Sequence, residues 1–324
     1  MTAPSRPALV HSLRFEAPTI VSMELRPLAP ATSFPVAVEA GAHVDLHLSE
    51  GITRSYSLIN PGESHRYVVA VMHDPQSRGG SRFVHESLRV GQVVHLGGPR
   101  NHFSLDEAAS NSVLLAGGIG ITPIYAMLQR LARLGRRAHL VYCARSRAQA
   151  AFVDDIKALV AESAGALSAQ LHFRDEQGAR PDLVRLLGGH APDAHVYGCG
   201  PASMLGAFEC ACTQLGYAHV HLERFAAAVP PGASPARGYD VELRKSGRTV
   251  HVPPGVALLD ALTGAGLNPE FSCREGVCGA CETRVISGDV DHRDSILTKR
   301  EREANRSMMI CVSSCRSGRL VLDC

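Results

Sequence analysis

The chain has 324 residues, long enough for two or three domains, and is 45% hydrophobic and 20% charged, the balance of a soluble globular protein. Its 33 basic and 31 acidic residues nearly cancel to a formal net charge of +2, so charge gives no reason to expect a nucleic acid or a membrane as partner. The opening MTAPSRPALVHSLRF lacks the pattern of a signal peptide, and no run of 18 apolar residues occurs. The expected home is therefore the cytoplasm, where thiols stay reduced.

From about Ala8 to Phe103 the chain reads as short strands broken by frequent glycine and proline, which suggests a barrel. Within it lies TRSYSLIN, Thr53 to Asn60, a strand of alternating polar and apolar residues. DPQSRGGSRFVHESL follows, Asp74 to Leu88, with Gly79, Gly80 and Ser81 ahead of a helix-like stretch. A glycine turn, a hydroxyl and a helix start together make a small anion site, suited to a terminal monophosphate. The same residues also suit a surface loop.

SVLLAGGIGITPIYAMLQRLARLG, Ser112 to Gly135, opens a different pattern. Val113 to Ala116 reads as a buried parallel strand. Gly117, Gly118 and Gly120 form a tight turn, Pro123 suits a first helical turn, and Ile124, Met127, Leu128 and Leu131 have helical spacing. Such a turn can dock a pyrophosphate at a helix N-terminus, or it can be ordinary architecture. It is not the G-x-G-x-x-G fingerprint. AHLVYCARS (Ala138 to Ser146) and AHVYGCGPASML (Ala194 to Leu205) are further buried strands, separated by helix-like segments such as AAFVDDIKALVAES. This alternation predicts a parallel sheet covered by helices on both faces, with ligands gathering at the carboxyl ends of the strands. Cys199, between Gly198 and Gly200, is either part of such a site or a buried structural thiol. His219 and His221 alternate as in a strand and are read as structural groups. AAAVPPGASPARG, Ala226 to Gly238, reads as a semi-rigid linker.

After the linker, YDVELRKSGRTVHVPPG predicts a hairpin turning at Ser246-Gly247, and VALLDALTGAGL a helix stopped by glycine. CREGVCGACETR then places Cys273, Cys278 and Cys281 within nine residues, and Cys311 follows 29 residues later. The C-x4-C-x2-C…C spacing is that of a plant-type [2Fe–2S] centre. Gly276 and Gly279 let the backbone wrap closely around the sulfides. Zinc sites usually bring two separate close pairs, and this loop has one C-x2-C pair. A disulfide framework suits secreted chains better. CVSSC offers both Cys311 and Cys315 as fourth ligand; spacing favours Cys311 and leaves Cys315 as a spare thiol. Most of the other cysteines read as small buried hydrophobes.

With these motifs in three successive parts, essentially the whole chain resembles the phthalate dioxygenase reductase branch of the ferredoxin–NADP reductase superfamily, in particular vanillate demethylase reductases. GAHVDLHL, GPRNHFSL and HLERF carry the same likeness. The resemblance implies a multidomain chain. An antiparallel β-barrel flavin domain spans 1–104 and an α/β parallel-sheet nucleotide domain 105–225. A linker over 226–237 joins them to an α+β β-grasp ferredoxin domain at 238–324. It implies that Tyr56 packs against an isoalloxazine, that Ser57 lies near its reactive nitrogen, and that Arg54 serves its phosphate or polar edge. Gly79, Gly80 and Ser81 hold the phosphate, favouring FMN over FAD. Gly117, Gly118, Gly120, Thr122, Pro123, Cys199, Gly200 and Pro201 line the NAD(P) site, and Phe225 shields the flavin. Ser57, Thr122 and Phe225 are the residues expected at the reacting atoms, and Cys273, Cys278, Cys281 and Cys311 the iron ligands.

A flavin is also required on physical grounds, since a nicotinamide gives two electrons together and a [2Fe–2S] cluster accepts one. The implied function is the reductase of a two-component Rieske non-haem iron oxygenase system. NADH would feed FMN and then the cluster, and an aromatic acid or aryl ether would be the final substrate. NADPH stays open, because Arg145 and Arg147 follow the second strand where a 2′-phosphate would lie. A monomer is expected, docking its partner around Cys273 to Cys281, where Arg274, Glu275 and Glu282 flank the ligands. The alternatives are a stand-alone NADH diaphorase, a reductase for a cytochrome P450, and a non-catalytic redox sensor.

Overall fold

A computed structural model of the chain describes residues 5–29, 32–48, 51–226 and 237–324. They fall into two units, one spanning Arg6–Glu223 and one built from Arg224–Cys324 with Ser5. The linker expected at 226–237 lies almost entirely outside the described residues.

The first unit opens with six antiparallel strands: β1 (Arg6–Ala17), β2 (Ile20–Pro27), β3 (His43–His47), β4 (Thr53–Ser57), β5 (Tyr67–Met72) and β6 (Val93–Arg100). Their order is β4-β3-β6-β1-β2-β5, and a bridge between Leu58 and Val69 joins the two outer strands into a closed barrel. Alternate residues such as Val10, Met23, Leu25, Val44, Leu46 and Val69 point inward and fill it. Helix α1 (Gly80–Glu86) follows β5.

The rest of this unit is a five-stranded parallel sheet of β7 (Asn111–Gly117), β8 (Arg137–Ala144), β9 (Leu167–Phe173), β10 (His195–Cys199) and β11 (His219–Glu223). Helices α2 (Ile121–Arg133), α3 (Val153–Glu162), α4 (Arg174–Gln177), α5 (Leu183–Leu187) and α6 (Ala202–Leu215) connect the strands. Period-two alternation sends Leu114 and Ala116 into one core and Val113 and Leu115 into another, so both faces are covered. The first of these cores also takes in Ile20, Ile59, Ala70 and Phe103 from the barrel. Gln129 of α2 donates to the Ile59 carbonyl at 2.7 Å, a further tie between barrel and sheet.

The strand order is β11-β10-β7-β8-β9. Chain direction across the sheet therefore reverses between β7 and β10, and that switch point is where open α/β sheets bind ligands. The turns after these two strands are GGIG and CGP.

The second unit is a mixed sheet, order β13-β12-β18-β14-β16. It contains β12 (Tyr239–Leu243), β13 (Arg248–Val252), β14 (Glu282–Ser287), β16 (Ser307–Met309) and β18 (Arg319–Leu322). A two-stranded ribbon of β15 (Val290–Asp291) and β17 (Ser314–Cys315) stands apart. The first hairpin turns at Gly247, whose φ of 64° favours glycine. Helix α7 (Leu258–Gly264) buries Leu258, Leu259 and Leu262 against Val241, Leu243 and Leu322. Helix α8 (Lys299–Ala304) starts with a capping box between Thr298 and Glu301. Among the described residues, no helix is long and apolar enough to cross a membrane.

Candidate functional site

Three groups of residues are assembled. The first is on the barrel. Arg54, Tyr56 and Ser57 lie on β4, with Ser57 buried and Tyr56 half-buried against the barrel core. Burial pushes the Tyr56 phenol up to about 12, against a smaller opposing effect of Arg54. The Arg54 guanidinium donates to the carbonyls of Thr53 at 2.7 Å and Arg78 at 2.8 Å. Its stem lies directly over Gly80: a Cβ there would be 2.5 Å from Arg54 Cγ. Gly79 has φ 96°, and a Cβ on it would meet Ile52 at 2.8 Å. Two segments more than 20 residues apart thus form one surface, with Arg54 beside the glycine turn. Ser81 lies in the first turn of α1, and its hydroxyl accepts from the Asp74 amide at 3.1 Å.

The second group is at the switch point. Gly117, Gly118, Ile119 and Gly120 run from the end of β7 through a single 3-10 turn into α2. Thr122 and Pro123 are buried in the first turn of α2, where the Thr122 hydroxyl donates to the Ile119 carbonyl at 3.0 Å. Across from it, Cys199, Gly200 and Pro201 link β10 to α6. The two turns are in direct contact. A Cβ on Gly120 would lie 2.3 Å from the Cys199 carbonyl oxygen, and one on Gly200 would lie 3.1 Å from Gly117 Cα. Met204 of α6 packs on both Gly117 and Gly200. Glycine is needed here for close approach of backbones.

Cys199 is buried and pairs in register with Glu223 of β11. Burial, and then the Glu223 charge, push its thiol well above the usual range. Burial likewise pushes the Glu223 carboxyl up to about 8, and its Oε2 has no hydrogen-bond partner. Glu223 is the residue that sequence reasoning left without a role, although it lies within the HLERF stretch and closes the strand HVHLE. Phe225, two residues on, is substantially exposed and falls in the other unit. Arg147 is not a free cation. It makes two hydrogen bonds of 3.0 Å to the Glu176 carboxylate and lies 4.5 Å over the Phe173 ring.

The third group is the cysteine loop between α7 and β14. Cys278, Cys281 and Cys311 are buried and Cys273 half-buried. The thiols stand in two hydrogen-bonded pairs. Cys278 donates to Cys273, which lowers the pKa of Cys273 and raises that of Cys278. Cys281 donates to Cys311 with the same consequence. Backbone amides reinforce the acceptors: Glu275 N lies 3.3 Å from the Cys273 sulfur, and the Gly276 amide bonds Cys311. Two thiol pairs ringed by N–H donors fit a two-iron cluster, with one pair for each metal. A single zinc ion would instead draw all four ligands to one centre. Cys315 lies apart on β17, 3.5 Å from the Ser317 hydroxyl. Of the remaining cysteines, Cys143 and Cys212 are buried, while Cys210 and Cys324 are exposed.

Comparison with known proteins agrees with this arrangement. Residues 114–209 match the oxidoreductase NAD-binding domain family and residues 241–316 the 2Fe-2S iron-sulfur cluster binding domain family. A phenoxybenzoate dioxygenase subunit beta from Ectopseudomonas oleovorans is 45% identical over 97% of this chain and 96% of its own length. The solved structure of phthalate dioxygenase reductase, described as a modular structure for electron transfer from pyridine nucleotides to [2Fe-2S], superposes with a TM-score of 0.69. It is 32% identical and covers 99% of this chain and 98% of its own. The chain belongs to the phthalate dioxygenase reductase family. An intact type IV self-sufficient cytochrome P450 monooxygenase is also similar (TM-score 0.89, 37% identity), with 99% of this chain matching 41% of that one. Members of the family are oxidoreductases that pair an NAD-binding domain with a 2Fe-2S domain, and this chain has both.

Proposed function

We propose that this chain is the reductase of a two-component oxygenase system, taking electrons from NADH and delivering them singly to a Rieske-type terminal oxygenase. The observation that carries this reading is the joint presence of a switch-point nucleotide site and a two-pair thiol site in one chain. A nicotinamide releases two electrons together and a cluster accepts one, and FMN, when bound, supplies the conversion between them.

Each group then has a task. Arg54, Gly79, Gly80 and Ser81 hold the FMN phosphate, and Tyr56 and Ser57 lie against the ring. The phosphate assignment is supported by the cradle that Arg54 forms over Gly80. Gly117, Gly118, Gly120, Thr122, Pro123, Cys199, Gly200 and Pro201 hold the nucleotide and orient its nicotinamide; orientation supplies most of the rate for a hydride donor. The neutralisation of Arg147 by Glu176 supports NADH over NADPH, since a 2′-phosphate would face that carboxylate. Cys273 with Cys278 and Cys281 with Cys311 hold the two irons. The corresponding domains are 1–104, 105–225 and 238–324, joined by 226–237, in a cytoplasmic monomer. Arg274, Glu275 and Glu282 set docking of the oxygenase, whose substrate is an aromatic acid or aryl ether.

A second reading has one specific observation in its favour: the same arrangement forms part of a self-sufficient P450. A P450 acceptor would leave every residue role above unchanged. The cofactor content tests the core of the proposal. Purified protein should hold about one FMN, two irons and two acid-labile sulfides per chain. Tightly bound zinc without labile sulfide would overturn it.

A further inference from the structure

A charge pair with a fully buried carboxylate stands behind the cysteine loop. The Asp294 side chain has no solvent exposure. Its Oδ2 accepts from the amides of Ile296 at 3.2 Å and Leu297 at 2.8 Å, while Oδ1 has no hydrogen-bond partner. Arg302 of α8 is its counterion: Nη2 lies 3.7 Å from Oδ2 and donates to the Asp294 carbonyl at 2.6 Å. His292 lies 3.7 Å from Oδ1, and burial holds its pKa down, so it adds no second cation. A carboxylate held like this is costly, and its neutral hydrophobic replacement is often no less stable. Stability alone is a weak reason for its presence.

Its location supplies a better one. A Cβ on Gly276 would lie 3.0 Å from Asp294 Cα, so the loop rests directly on this residue. The Ser295 amide donates to the Gly276 carbonyl at 2.8 Å, and the Gly276 amide in turn bonds the Cys311 sulfur. The path from Arg302 to Asp294, Gly276 and Cys311 is continuous.

We propose that Asp294 and Arg302 are positioning residues that set the reduction potential of the cluster held by the four thiols. This rests on the cluster assignment above. Reduction adds one electron at the iron and breaks no bond, so the cluster as a whole becomes more negative by one charge. A fixed negative charge behind the loop opposes that change, and Arg302 offsets it. Asp294 acts through a poorly screened interior, and Arg302, partly exposed, acts beside it. Cluster potentials respond to such nearby charge and to hydrogen bonds on the sulfurs.

The two residues must then act with opposite sign, which a purely structural role does not require. The test is a redox titration of the full-length protein, with the cluster followed by its visible absorption and electron paramagnetic resonance. The variants are Asp294→Asn, Arg302→Gln and Arg302→Lys. Asp294→Asn keeps the shape and a carbonyl acceptor, and should raise the potential. Arg302→Gln leaves the carboxylate unanswered and should lower it. Each shift should be about tenfold in the one-electron equilibrium, or about 59 mV. Arg302→Lys should restore the wild-type value. Arg302 is partly exposed, so its pair of variants decides the matter even where Asp294→Asn fails to fold. Shifts in the same direction, or none, overturn the inference while leaving the cluster assignment intact. A wild-type protein without a cluster overturns both.

Discussion

Gly120→Ala isolates the contact between the two switch-point turns. Gly120 has φ −60° and ψ −6°, a conformation alanine adopts freely, so the substitution adds only a methyl group. That methyl would lie 2.3 Å from the Cys199 carbonyl oxygen, 2.5 Å from its carbon and 2.8 Å from the Gly200 nitrogen. Ordinary carbon–oxygen contacts are about 3.3–3.6 Å, so the turns must part by roughly 1 Å. All three obstacles are backbone atoms, which cannot rotate aside. The cost should reach the upper end of overpacking, about 3 kcal/mol. For a unit of this size that is roughly 6–12 °C in melting temperature. A 1 Å displacement at a hydride-transfer site can cost about 100-fold, so kcat/KM for NADH should fall by about 10- to 100-fold. The assay is NADH oxidation with ferricyanide, alongside a thermal melt. Gly135→Ala, outside the nucleotide site, is the control. It meets nothing within 4 Å, but its φ of 63° costs an alanine about 1–2 kcal/mol. It should lower stability with only a few-fold change in NADH kinetics. A Gly120→Ala protein with unchanged melting temperature and NADH kinetics would refute the packing argument.

Three further outcomes are expected. Cys278→Ser should lose the cluster iron but keep NADH oxidation with small acceptors, because a serine hydroxyl poorly replaces a soft thiolate; retained electron delivery to a protein acceptor would contradict the route. Glu176→Gln should free Arg147 and raise NADPH use relative to NADH by about fivefold, the worth of roughly 1 kcal/mol at an exposed ion pair; an unchanged ratio of kcat/KM values would remove Glu176 from nucleotide choice. Acid should destabilise the nucleotide-binding unit through His221, whose pKa is lowered to about 4 by burial and by His195 and His219. The unfolded chain binds that proton near pH 6.5 and the folded one does not, so stability is complete above pH 6.5 and falls as pH drops toward 4. Allowing for solvent screening of a half-buried ring, the loss should be about 1–2 kcal/mol, read as a lower urea midpoint at pH 5 than at pH 7. His221→Phe should flatten that dependence, and an unaltered slope would exclude the histidine.

Local punctuation was legible in the sequence, and long-range pairing was not. GGIG, CGP and GG stand out as turns because glycine and proline restrict what a chain can do at those points, and apolar runs ending in these turns marked β7 and β10 as buried strands. The thiol spacing pointed to four cysteines without pairing them; the fold sets Cys273 beside Cys278 and Cys281 beside Cys311. Arg147 looked like a free cation because its partner, Glu176, lies 29 residues away across the β8–β9 edge. Glu223 was silent because a single acid at a strand end is common, and only the β10–β11 register sets it beside Cys199. Asp294 was silent for the same reason: its burial behind Gly276 follows from packing of the 290–302 segment, which no local pattern encodes.

The central claim is electron delivery from NADH to an oxygenase, and reconstituted turnover tests it most directly. The protein would be mixed with NADH, oxygen and a panel of Rieske-type oxygenases acting on aromatic acids and aryl ethers, and product counted against NADH consumed. The account predicts hydroxylated or demethylated product with at least one of them, in a yield near one per NADH, and none with Cys278→Ser. Absence of product across the panel, with ready reduction of a cytochrome P450 instead, would contradict it.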